Sequence, residues 1–221
     1  WASSGWKISQ SRNAPVDQDS AVRISLAQRE TECAQVVLRP KAPLKNLRIV
    51  TEPLRTEEGA VLEPSALEVL RVEYVPIHTP SDEYGAAGMW PDPITPISGP
   101  LNLSSGVNHP LWIRVSSQAG TKPGNYRGKI LLKADDWQAE VPLDVTVFGF
   151  ALPETPTFRA LFGDGPGTVS KYHRATTNEA RRRTTERYID ALGKHRINPY
   201  GIASVPLIAK WSTFSANWGK D

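Results

Sequence analysis

The sequence predicts a mainly β chain: an antiparallel β-sandwich, followed by the first strand-helix-strand unit of a parallel α/β fold, a class that includes the (β/α)8 barrel. Three observations carry this reading. Short runs across residues 1–152 alternate apolar and polar side chains, the period of a half-buried strand. Nineteen prolines and sixteen glycines in 221 residues supply the turns that many short strands need. After Pro153-Glu154-Thr155-Pro156 the pattern changes from strand-and-turn to strand-helix-strand.

Taken in order, Val22 to Leu26 places Val22, Ile24 and Leu26 on one face against Arg23 and Ser25. Glu32 to Leu38 reads as a second strand, closed by Pro40 and Pro43. Leu47 to Val50 and Leu67 to Val75 follow, the latter alternating Leu70, Val72 and Tyr74 with Arg71 and Glu73. The stretch Thr79 to Pro93 reads as a stiff, proline-rich loop carrying carboxylates and aromatics. Pro110 to Val115, Tyr126 to Leu132 and Glu140 to Phe148 complete the series. Gly120 to Asn125 and Asp135-Asp136 supply connections between them.

Residues 153–156 read as a linker and 157–221 as the incomplete start of a barrel domain. Phe158 to Phe162 is its first strand, and Ile197 to Ile202 its second. Between them, Thr176 followed by Glu179 fits a capping box that opens a helix running to about Lys194. One such unit cannot close a barrel or bury itself, so either the remainder of a barrel follows as its intramolecular partner or the segment packs on the sandwich as a remnant.

Composition narrows the function classes. Hydrophobic residues make up 39% and charged residues 22%, enough apolar content for a core. No apolar run approaches the roughly 20 residues of a membrane span, so no membrane partner is expected. The net charge is +3, and the one cationic run, Arg181-Arg182-Arg183, splays around a helix. Nucleic-acid binding would need a clustered basic stripe, so no nucleic-acid partner is expected. Cys33 stands alone in an apolar stretch and reads as a buried small hydrophobe, which leaves no internal disulfide or cysteine metal cage. The four histidines (His78, His109, His173, His195) show no ligand spacing, and no metal is expected. There is no glycine-x-serine-x-glycine nucleophile motif, and Gly163 to Gly167 lacks the lysine of a phosphate loop. Asn102-Leu103-Ser104 is formally a glycan acceptor. Trp1 as first residue suggests either a mature chain after signal-peptide removal, hence an exported protein, or a trimmed one.

Several segments together resemble one family, the glycoside hydrolase family 123-like proteins. They are Arg29 to Leu38 (departing at Thr31 and Cys33), Trp90-Pro91-Asp92-Pro93-Ile94-Thr95-Pro96, Asn108 to Ile113, Pro123 to Gly128, Phe148 to Pro153, and His195 to Pro199. The resemblance spans about residues 20 to 202. It implies an N-terminal β-sandwich joined to a (β/α)8 barrel, and a glycan substrate. The implied activity is exo-hydrolysis of β-linked N-acetylgalactosamine with retention, in which the substrate's own acetamido oxygen attacks the anomeric carbon. An adjacent aspartate-glutamate pair would serve that attack, with no metal or organic cofactor. The pair belongs to a middle barrel strand, beyond Asp221. Asp82-Glu83 has the right composition but lies between sandwich strands, so no catalytic residue is assigned within this chain.

Four residues stand out as candidates for substrate binding. Trp90 offers an aromatic face for a sugar ring and Asp92 a carboxylate for its hydroxyls, both on a loop expected to face the second domain. Asp164 follows the first barrel strand and Tyr200 closes the next, on the face where barrel enzymes place their sites. Each also has a purely structural reading: Trp90 as a packing aromatic, Asp164 as a turn residue. Three functions remain open on these grounds. The chain is the front part of such a glycosidase, a non-catalytic carbohydrate-binding or scaffolding sandwich, or a relative acting on another glycan.

Overall fold

The computed structural model describes residues 1–14, 21–80, 82–83, 85–158, 160–163 and 166–200. The chain divides into two compact units, Trp1–Leu152 and Pro153–Asp221. The strands of the first unit are β1 (Ala2–Ser3), β2 (Val22–Gln28), β3 (Thr31–Leu38), β4 (Leu44–Thr51), β5 (Leu54–Arg55), β6 (Val61–Leu62), β7 (Leu67–Ile77), β8 (Gly88–Pro96), β9 (Leu101–Leu103), β10 (His109–Ser116), β11 (Gly124–Lys133) and β12 (Gln138–Ala151). They form two sheets, one in the order β1-β3-β10-β7-β8 and one in the order β2-β12-β11-β4-β9, with β5 and β6 attached beside β11.

The inward residues of the two sheets share one core. Val22, Ile24 and Leu26 of β2 meet Leu111, Ile113 and Val115 of β10, Tyr126, Ile130 and Leu132 of β11, and Leu143, Val145 and Val147 of β12. Burying these alternating side chains is what selects the register, because a one-residue slip would turn each set to solvent. Gly128 also points inward. A Cβ there would come within 2.5 Å of the Leu54 Cδ2, so the fully buried Leu54 takes the space a side chain at 128 would need.

The structure departs from the sequence reading in several places. The sandwich is mixed, because β2 pairs with β12 in parallel, Val22 opposite Leu143 and Leu26 opposite Val147. The proline-rich stretch is partly a strand: β8 pairs antiparallel with β7 at the edge of its sheet. Its prolines misled the reading because they cannot donate to a ladder, yet an edge strand tolerates them. The register shifts between Val72–Ile94 and Tyr74–Pro91, so Asp92 and Pro93 together oppose Glu73 in a bulge. β1, β5, β6 and β9, of two or three residues each, are too short to show a period. Cys33 is half-buried, not buried, and burial pushes its thiol pKa up.

In the second unit, β13 (Leu161–Gly163) pairs in parallel with β14 (Asn198–Tyr200). Between them lie α1 (Pro166–Tyr172), which the sequence reading missed, and α2 (Asn178–Lys194). The N-cap of α2 is Thr177 rather than Thr176, its side chain accepting a hydrogen bond from the Ala180 amide at 3.1 Å. That makes Ala180 the third helical residue, so the expected Thr–Glu capping box does not form. Arg182 instead pairs with Glu179 and Glu186 along the helix surface. The described part of this unit is a pair of parallel strands with two helices between them, which does not by itself show the start of a barrel.

Candidate functional site

Trp90 and Asp92 lie on the β8 edge. The loop before them is built on Asp82, whose carboxylate accepts from the Gly85 amide at 2.9 Å. A Cβ at Gly85 would sit 2.9 Å from the Pro80 Cβ, so only glycine fits that close approach. The turn thus accounts for the acid of the Asp82-Glu83 pair that the sequence singled out. Trp90 then folds back, its indole Nε1 donating to the Ala86 carbonyl at 2.6 Å. Opposite it on β7 stands Val75, and Pro91 stands opposite Tyr74.

Asp92 is well exposed and pairs with Lys7, Nζ to Oδ1 3.9 Å, while the same ammonium donates to the Pro91 carbonyl at 3.3 Å. An exposed pair of this kind is worth about 0–1 kcal/mol, so it orients Asp92 more than it stabilises the fold. Met89 beside Trp90 is 45% exposed. The Tyr74 hydroxyl donates to the Ile8 carbonyl at 3.0 Å, and burial pushes its pKa up to about 12. An aromatic, a thioether, a carboxylate and an ammonium on one edge can hold a polar ring. They are groups for binding.

Lys7 reaches this edge because the N-terminal twelve residues are tied down by three polar side chains, two of them buried. Gln35, 2% exposed, donates to the Ser3 and Trp6 carbonyls at 3.0 and 2.9 Å. Asn108, 1% exposed, donates to the Ser9 and Arg12 carbonyls, both at 2.7 Å. Arg39 donates to Ser11 and Arg12 carbonyls at 3.1 and 3.0 Å. Buried polar groups demand partners, and here the partner is an irregular segment that crosses from β3 to β7. In the sequence Gln35 and Asn108 stand only as parts of the family-like segments. A polar residue inside the apolar run of β3 was the available signal for Gln35, and Asn108, just before β10, offered none.

Two ends of the sandwich can be distinguished by register. Gln28, Thr31, Ser116 and Ala151 lie at one end, where the Leu152 amide donates to the Gln28 carbonyl at 2.9 Å. Leu38 and His109 lie at the other, and Gly88 to Pro91 extend beyond them. Trp90 and Asp92 are therefore at the end away from Leu152. Asp164 lies outside the described residues. Tyr200 is the last residue of β14, and its side chain lies outside the described residues. Among the described residues, no three His, Cys, Asp or Glu side chains converge as a metal site. No helix there is long and apolar enough to cross a membrane.

Comparison with curated proteins gives no match. Among solved structures, the chain is similar to a family 123 glycoside hydrolase from Clostridium perfringens, which was studied for hydrolysis of glycolipid glycans. The TM-score is 0.67 at 17% identity over 80% of this chain, a likeness of fold. This chain spans 32% of that protein's length. A family model for the glycoside hydrolase 123 N-terminal domain matches residues 1–134, and the chain belongs to that family.

Proposed function

We propose that this chain is the N-terminal portion of a retaining exo-glycosidase that hydrolyses β-linked N-acetylgalactosaminides. The observation that carries the reading is the family match across residues 1–134, supported by the likeness of fold. In this reading the substrate's acetamido oxygen attacks the anomeric carbon, an aspartate steadies the acetamide, and a neighbouring glutamate protonates the leaving oxygen. That pair stands beyond residue 221, so the 221-residue chain binds but does not hydrolyse. Trp90 stacks against a sugar ring and Asp92, oriented by Lys7, accepts hydrogen bonds from its hydroxyls. Asp164 and Tyr200 contribute further contacts to the glycan.

The test uses the longer protein with an aryl β-N-acetylgalactosaminide, following the anomer first released by NMR. Release of the β anomer is expected, and release of the α anomer would overturn the retaining mechanism. Trp90→Ala should raise KM about five- to tenfold with little change in kcat, the loss of about 1–1.5 kcal/mol of stacking. An unchanged KM would remove Trp90 from the binding role.

A further inference from the structure

At the end of the sandwich that holds Leu152, a cleft of about 430 Å³ opens between two walls. Its floor includes Tyr126, 1% exposed, whose hydroxyl donates to the Lys122 carbonyl at 2.6 Å. One wall is β6 and the turn that follows it, where the Ala66 amide donates to the Glu63 carbonyl at 2.9 Å. The other is the loop between β10 and β11. That loop is pinned along its length. Ser117 donates from its hydroxyl to the Ala27 carbonyl at 2.5 Å, Thr121 Oγ1 accepts from the Gln118 amide at 3.0 Å, and the Gly120 amide donates to the Gln28 side chain at 2.9 Å.

Both walls are thus held by hydrogen bonds, one through its own backbone and the other through the Ser117, Thr121 and Gln28 side chains. The side chains that line the opening are used differently. The Glu63 carboxylate, the Ser65 hydroxyl, the Gln118 side-chain amide and the Lys122 ammonium all border the cleft, and among the described residues these side-chain groups make no hydrogen bond or ion pair. A pre-formed hollow with uncommitted polar groups around a partly apolar floor is the composition of a small-molecule site, and its size is within the usual range of about 300–1,000 Å³. Fixed walls also lower the ordering cost of binding.

We infer that this cleft binds a neutral mono- or disaccharide, at a site separate from Trp90 and Asp92. The lining selects the class. One acid and one base leave it without net charge, so an anion would meet Glu63 and a cation Lys122. A hydroxyl and an amide offer both donors and acceptors, which suits the vicinal hydroxyls of a sugar. Ala60 and Val61 supply an apolar strip for the ring's C–H face. The site is a binding site only, and the inference does not depend on the hydrolytic reading.

The experiment is a titration of the 221-residue chain with methyl β-N-acetylgalactosaminide and, separately, with inorganic phosphate, followed by amide shifts in two-dimensional NMR. Saturable shifts at Ser65, Gln118, Gly120 and Thr121 with the sugar, and none with phosphate, are expected. Gln118→Ala should weaken the apparent affinity about fivefold, one neutral hydrogen bond's worth, and Glu63→Gln, which exchanges a charge-assisted acceptor for a neutral one, by about as much. Both residues are exposed, so the rest of the spectrum should stay in place, and Trp90→Ala should leave the cleft shifts intact. Absence of saturable sugar shifts at these amides would overturn the inference, as would shifts that survive both substitutions. A phosphate response in place of the sugar response would overturn the assigned class.

Discussion

Replacing Asn108 with alanine should cost the sandwich about 2–3 kcal/mol. Its side-chain amide makes two hydrogen bonds at 2.7 Å, to the Ser9 and Arg12 carbonyls, from a position 1% exposed. A neutral bond contributes about 1 ± 0.5 kcal/mol net, and truncation also leaves carbonyls without a partner, which adds to the loss. Arg39 keeps its own bonds to the Ser11 and Arg12 carbonyls, so the strap loosens around Ser9 first. For a unit of this size about 2–4 °C of Tm accompanies each kcal/mol, giving a fall of roughly 5–10 °C. The assay is urea unfolding followed through amide signals of the sandwich, with hydrogen exchange read at residues 6–12. Asn108→Asp provides a sharper control. It keeps the shape but replaces the donor with a carboxylate oxygen that faces two carbonyl acceptors, so it should be at least as damaging as alanine. A loss under about 1 kcal/mol for alanine, or wild-type stability for aspartate, would refute the argument that this side chain holds the N-terminal strap.

Gly128→Ala should destabilise by about 1–3 kcal/mol in urea unfolding, because its Cβ would stand 2.5 Å from Leu54 Cδ2 and 3.2 Å from the Pro53 carbonyl; wild-type stability would mean that Leu54 moves aside freely. Tyr74 has a folded-state pKa of about 12 against an ordinary value of 10.0, so its contribution is complete below pH 10 and is lost as pH rises toward 12. Tyr74→Phe should flatten that alkaline decline, and an ultraviolet titration lacking the late-ionising tyrosine should confirm the assignment.

Much of the fold was legible wherever a strand buries one face only. Val22, Ile24 and Leu26 announce β2, and Val141 to Val147 announce the inward face of β12. β8 was illegible because Pro91, Pro93 and Pro96 carry the chemistry of a loop, and only its edge position permits them. The parallel pairing of β2 with β12 was hidden too, since period-two alternation says nothing about a partner more than a hundred residues away. At the candidate site, Trp90 and Asp92 could be read from composition. Lys7 could not, because it reaches Asp92 through the strap held by Gln35, Asn108 and Arg39. In those contacts side chains bond backbone carbonyls far along the chain, and a carbonyl has no sequence signature. The same limit concealed Tyr74, whose partner is the Ile8 carbonyl.

The parallel β2–β12 pair has a consequence for synthesis and for fragments. β2 emerges early from the ribosome, but its ladder partner, residues 143–151, is among the last parts of the sandwich to be made. Through that interval β2 is an unpaired apolar edge, and the unit cannot close until its final strand arrives. The family match ends at residue 134, just after β11 and before β12 begins. A protein cut at that boundary would keep every recognisable segment of the matched domain and still lack the central strand that joins β2 to β11, together with Leu143, Val145 and Val147 of the core. The boundary of the family is therefore not the boundary of the folding unit, and only chains reaching about Leu152 contain all the strands that fold together.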